Sequence, residues 1–211
     1  MSTPTDWYDW HRPYDDERSP LSQRLRLVQR HVAGWLDRRT EESLTVVSAC
    51  AGQGRDLIDV LAGRPDAGRV RARLIEGDQR NVDAARAAIA AAGLTDVSVM
   101  RADAGRLSSY AGAVPADLVL LAGVLGNITD ADVRATIAAL PQLCAAGATV
   151  IWTRTREAPD LTPALRRWLS EAEFVEQAFE APDGVLFSVG VHTFAGTPRP
   201  RSGERLFQFV R

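Results

Sequence analysis

Val46-Val47-Ser48-Ala49-Cys50-Ala51-Gly52-Gln53-Gly54-Arg55-Asp56-Leu57 is the run that decides how this chain folds. A strand-like stretch from Leu44 to Ala49 meets a turn of small residues, and a helix-like pattern follows over roughly Arg55–Leu61. Small residues let a ligand approach the backbone closely, and a helix start behind them favours polar or anionic groups. Glu76 and Asp103 fall at the expected ends of the next two strands. That layout suits a nucleotide-like ligand.

Outward from this turn, strands and helices alternate. Ala72–Ile75, Val97–Met100, Asp117–Leu121 and Thr149–Thr153 read as strands. Between and after them, helices are expected from about Asn81 to Ala92, from Thr129-Asp130 to near Gly147, and over Thr162–Ala172. Such alternation predicts βαβ units in a doubly wound, Rossmann-like α/β fold with a mostly parallel sheet of roughly seven strands. The last forty residues change character: Phe174–Phe179, Leu186–Phe194 and Leu206–Val210 look like strands joined by links short enough for antiparallel pairing.

Upstream, Ser19-Pro20 can cap and start a helix. Leu21, Leu25, Val28, Val32 and Trp35/Leu36 then follow at helical steps, with arginines on the outer face. Before it lies an aromatic arm carrying Trp7, Tyr8, Trp10, His11 and Tyr14 among Asp and Pro. It packs on the surface of the domain or serves as a lid over a ligand. We expect one domain over 1–211: arm and helix 1–43, cofactor-binding core 44–172 and C-terminal strands 173–211.

The composition narrows the class. With 45% hydrophobic and 25% charged residues in 211, the chain is ordinary for a soluble globular protein. A net charge of -2 gives no footprint for nucleic acid. All 25 basic residues are arginine, which excludes Schiff-base lysine chemistry and the P-loop lysine. Cys50 and Cys144, the second near a predicted helix end, lack the spacing of a disulfide framework or a zinc site, so no metal is expected. No apolar run approaches a membrane span, and no signal-peptide core is seen near Met1. The expected location is the cytoplasm.

Gly52 and Gly54 supply the first two glycines of a dinucleotide fingerprint, but its third small position falls on the bulky Leu57. The ordered motifs instead resemble the class I S-adenosylmethionine-dependent methyltransferases, above all the subset whose first motif reads D-x-C-A-G-x-G-R-D. Here Ser48 stands in place of the leading acid, which in many relatives orders the methionine amino group. Cys50 stands where others carry Gly, and a buried small thiol is more often packing than reactive.

Leu74-Ile75-Glu76-Gly77-Asp78 resembles the second motif. By that resemblance Glu76 accepts hydrogen bonds from the ribose diol, a task suited to a carboxylate. Asp78 is the competing candidate, and also a natural cap for the next helix. Asp103 and Ala104 match the third motif and imply contacts to the adenine amino group and a ring nitrogen. The fourth places Ala122, Gly123 and Val124 against the cofactor and Asn127 at the methyl-transfer site. Ala51, Gly52, Gly54, Asp56 and Gly77 complete the implied cofactor set. Tyr14 and Arg24 are candidates to close over its methionine end.

Methyl transfer needs an in-line nucleophile, and a proton-bearing acceptor usually also wants a base. His11 and His192 are candidate bases, whereas His31 reads as a boundary residue of an Arg-rich helix. Trp10, Trp152 and Phe194 are candidates for an aromatic substrate wall, with core packing as the alternative. The function implied is methyl transfer to an O, N or C atom of a small molecule, plausible in secondary metabolism. The alternatives are RNA or protein methylation, or a cofactor-binding module without turnover. Neither a membrane nor nucleic acid is expected as a partner, and a homodimer is left open.

Overall fold

The computed structural model describes residues 6–210. Seven strands form one sheet: β1 (Leu44–Ala49), β2 (Val70–Glu76), β3 (Val97–Arg101), β4 (Ala116–Leu121), β5 (Cys144–Thr155), β6 (Phe174–Glu180) and β7 (Phe187–Phe194). Their order is β3-β2-β1-β4-β5-β7-β6. Strands β1 to β5 run parallel, and β7 is antiparallel to both β5 and β6. The doubly wound expectation holds, with its antiparallel C-terminal part.

Five α-helices flank the sheet: α1 (Pro20–Asp37), α2 (Ile58–Ala62), α3 (Gln79–Ala91), α4 (Asp130–Ala139) and α5 (Thr162–Glu171). Period-2 alternation in the strands builds two cores, because successive side chains point to opposite faces. Leu118 and Leu120 pack with Val46 and Leu74 beneath α1 and α2, which add Val28, Val32, Ile58 and Leu61. Val119 and Leu121 pack with Val47 and Ala49 on the other face, under Val133 and Ile137 of α4 and Leu165 and Leu169 of α5. The helix ahead of the glycine turn therefore covers a face of the sheet, not an edge.

Local chemistry sets the helix starts. Ser19 accepts from the Ser22 amide with Pro20 at the first helical position, and Thr129 accepts from the Asp132 amide. The turn after β1 runs on through Leu57, so α2 begins at Ile58, three residues later than its pattern suggested. Strand β5 starts earlier than expected, at Cys144, through an irregular pairing with Ala116.

Leu206–Val210 is not a sheet strand, which corrects the expectation from its alternation. Its backbone bonds to loops instead: the Leu206 amide donates to the Gly105 carbonyl and the Val210 amide to that of Asn127. Only isolated bridges, Arg106 with Arg205 and Ile128 with Phe209, mark the contact. Buried Leu206 and Phe207 fill the core, so the tail lies across the strand ends as a strap.

Candidate active site

Strand order reverses between β1 and β4, since β1 connects outward to β2 on one side while β4 lies on the other. Open α/β sheets bind ligands at the carboxyl ends of the strands at such a switch point. A cavity of about 810 Å³ opens there. It is lined by the glycine turn, the ends of β2, β3 and β4, helix α1, the aromatic arm and Phe209 of the strap.

The turn is tied to the sheet. Gly52 has φ +56° and Gly54 φ +74°, a left-handed backbone that favours glycine, and Cys50 adopts φ +51° without being one. The Gly52 amide donates to Glu76 Oε2 at 2.8 Å, and the Asp78 amide donates to Glu76 Oε1 at 2.8 Å. Two backbone donors thus fix the Glu76 carboxylate, and each oxygen keeps a further acceptor site. Asp78 caps α3 through the Arg80 amide and pairs with the Arg80 guanidinium at 2.6 Å. Asp103 accepts from the Gly105 amide at 2.8 Å and, through its other oxygen, from Arg205 Nη2 at 2.9 Å.

The arm closes the opposite wall. A 3-10 turn over Asp9–Asp15 lays His11 on the glycine turn, where a Cβ added to Gly52 would strike the imidazole Nε2. His11 Nδ1 is 2.6 Å from the Trp7 carbonyl. A carbonyl only accepts, so Nδ1 carries the proton and Nε2 is the free acceptor facing the turn. Burial lowers the His11 pKa below its ordinary value, which keeps the ring neutral near pH 7. Arg24 of α1 donates to Tyr14 Oη at 3.4 Å and lies over the Trp10 ring at 5.5 Å. Trp7 meets Phe209 with ring centroids 5.5 Å apart, joining arm to strap.

Of the residues expected from sequence, Trp10, His11, Tyr14, Arg24, Cys50, Ala51, Gly52, Asp56, Glu76, Gly77, Asp78, Asp103, Ala104, Ala122 and Gly123 line this one cavity. Six do not, and of these Phe194 is buried against Phe174 in the core. Gly54 faces the interior, where an added Cβ would meet Leu74 and Ile58. Val124 is fully buried, and Asn127 turns its amide back onto the Gly123 carbonyl at 2.7 Å.

Trp152 and His192 require the larger correction. Trp152 is fully buried beside Phe179 and His192, its ring lying over Gly190 of the neighbouring strand. Trp152 Nε1 donates to His192 Nδ1 at 3.3 Å, leaving Nε2–H toward Glu176 at 3.6 Å. Burial lowers the His192 pKa to about 4. Both residues are buried inside the sheet's antiparallel end and neither lines the cavity.

Burial also pushes the Cys50 thiol well above its ordinary value, so it stays protonated and unreactive. Sequence reasoning missed Asn81, fully buried on α3 with its Oδ1 lacking a partner, and missed Phe209. Asn81 sits one turn into a helix directly behind a capping acid, which is the only signal the sequence offered. Among the described residues no group of three His, Cys, Asp or Glu could hold a metal ion, and no helix is long and apolar enough to cross a membrane.

Solved structures share this fold. One described as a possible exported protein from Bordetella parapertussis matches with TM-score 0.63 and 18% identity, over 94% of this chain and 75% of its own. An O-methyltransferase family protein from Burkholderia thailandensis gives TM-score 0.62 and 17% identity over 92% of this chain, which spans 64% of that protein's length. The magnesium protoporphyrin IX methyltransferase from Synechocystis PCC 6803, with S-adenosylmethionine bound, gives TM-score 0.66 and 16% identity over 92% of this chain and 99% of its own. No curated protein matches the sequence. The model of the family described as "Putative methyltransferase" matches residues 22–171, which is most of the chain and the whole glycine-turn core, and the protein belongs to that family.

Proposed function

We propose that the protein is an S-adenosylmethionine-dependent methyltransferase acting on an O, N or C atom of a small molecule. One observation carries this reading: the glycine turn, Glu76 and Asp103 stand in order along a single cavity at the switch point, enclosed by an aromatic arm. The residues fit the cofactor. A buried acceptor in the wall, Asn81 Oδ1, has no partner among the described residues and suits a ligand rich in donors. The bound cofactor supplies an electrophilic methyl group on a sulfonium.

The chain's own groups do the rest. Gly52 presents bare backbone to the ligand, and Glu76, held by two amides, accepts from the ribose hydroxyls. Asp103 and Ala104 border the adenine end. Trp7, Trp10 and Phe209 exclude water and offer ring faces to an apolar or aromatic acceptor. His11 Nε2, neutral and unbonded to the protein, is the base available to an acceptor that must lose a proton. The net charge of -2 favours a small molecule over RNA.

Calorimetric titration with S-adenosylhomocysteine tests the assignment. Glu76→Ala is expected to bind more than about tenfold more weakly, the cost of a charge-assisted pair of hydrogen bonds. Unchanged affinity would remove Glu76 from the site.

A further inference from the structure

The strap that crosses the strand ends brings a guanidinium to the cavity wall. Asp103 lines the cavity with 44% of its side chain exposed, and each of its oxygens is held by the protein. Oδ1 accepts from the Gly105 amide at 2.8 Å and Oδ2 from Arg205 Nη2 at 2.9 Å. Arg106 Nε lies farther off, 3.7 Å from the same Oδ2. Arg205 is itself preset, because its Nη1 donates to the Phe207 carbonyl of its own strap at 3.0 Å. A planar fork spans both acceptors at once, which the single ammonium of a lysine does not.

The strap is locked in register with the loop after β3. The Leu107 amide donates to the Glu204 carbonyl at 3.0 Å, and the Leu206 amide to the Gly105 carbonyl at 2.7 Å. A Cβ at Gly105 would come within 2.2 Å of the Phe207 carbonyl oxygen, so glycine is what admits the strap this closely. Thr136 Oγ1 of α4 donates to the Leu206 carbonyl at 3.1 Å, and buried Leu206 and Phe207 anchor the stretch in the core. Arg205 therefore reaches Asp103 from a fixed base. The match to the family ends at residue 171, so this contact lies outside it.

Folding stability does not account for the pair. Arg205 and Asp103 are 35% and 44% exposed, and an ion pair that open to water adds little. What the two donors do is stop the carboxylate from turning, while each oxygen keeps one further acceptor site. We infer that Arg205 is a positioning residue: it fixes the Asp103 carboxylate in the orientation that accepts from the purine amino group, so the C-terminal strap sets base recognition. This rests on the S-adenosyl cofactor proposed above.

Calorimetry with two ligands tests it: S-adenosylhomocysteine and its analogue with hydrogen in place of the purine amino group. Arg205→Ala is expected to bind the first about fivefold more weakly and the second within about twofold of wild type. In an Asp103→Asn background the same substitution is expected to add less than about a twofold loss, because it acts through that carboxylate. Thermal melting confirms that the variants fold. Equal losses for both ligands, no loss for either, or an undiminished loss beside Asp103→Asn overturns the Arg205 assignment and leaves the cofactor intact. Wild type that binds neither ligand overturns the cofactor reading and this assignment with it.

Discussion

Single residues in the cavity wall carry opposite electrostatic burdens. Burial raises the Asp56 pKa from 3.8 to about 6, against the backbone amides of Asp56 and Leu57, which favour the carboxylate. In the unfolded chain the group ionises near its ordinary value, so between the two values the native state holds the extra proton. The contribution is therefore fully present below about pH 4 and is lost as pH rises through about 6. Replacing Asp56 by Asn removes the titration. In urea unfolding at pH 4 and pH 7, Asp56→Asn is expected to gain on wild type by on the order of 2–3 kcal/mol at the higher pH. A constant difference across that range would mean that the carboxylate is solvated in the free protein.

The positions of the glycine turn and of the acids that follow β2 and β3 along the cavity were legible because backbone geometry and hydrogen bonding restrict such places to few residue types. His192 and Trp152 were misassigned because a strand sequence gives their alternation but not which neighbours cover them. Only the pairing of β5 with β7, which sets Trp152 against Gly190, shows that the indole is spent on packing. Phe209 was invisible for the same reason: nothing local says that a tail folds back across the strand ends.

Among elements, the two turn glycines separate packing from binding. Gly54 lies where α2 meets β2, and an added Cβ would come within 2.5 Å of Leu74 Cδ2 and 2.6 Å of Ile58 Cδ1, at a backbone φ of +74°. Gly54→Ala is expected to cost roughly 1–3 kcal/mol in chemical denaturation, from overpacking and left-handed strain together. At Gly52, also left-handed with φ +56°, the nearest atoms that an added methyl group meets belong to the His11 ring on the arm. Gly52→Ala is thus expected to weaken ligand binding more than it lowers the melting temperature, measured side by side with Gly54→Ala. Equal loss of stability in both would place the arm within the folding core.

The strands β1 to β4 were readable to within about two residues because each is bounded by a turn or a cap. Leu206–Val210 shows the limit of that logic. Its alternating apolar residues satisfy a strand pattern, yet its amides donate to the Gly105 and Asn127 carbonyls in loops and not to an edge strand. Periodicity records which side chains are buried; it does not record which backbone supplies the hydrogen bonds.

For the whole molecule, the strap and the arm converge from opposite ends of the chain on one cavity. Trp7 and Phe209 stand about 200 positions apart in sequence, yet their rings touch above the mouth. The described chain is thus almost a ring, with its seam in the cavity wall. A bound molecule is expected to leave as the seam parts, so that residence time depends on the seam more than encounter does, as with lids where release limits turnover. Phe209→Ala is expected to shorten the residence of S-adenosylhomocysteine several-fold in stopped-flow displacement while leaving the association rate within about twofold. On that expectation the arm and the strap, and not the strands between them, set how quickly a bound ligand is exchanged.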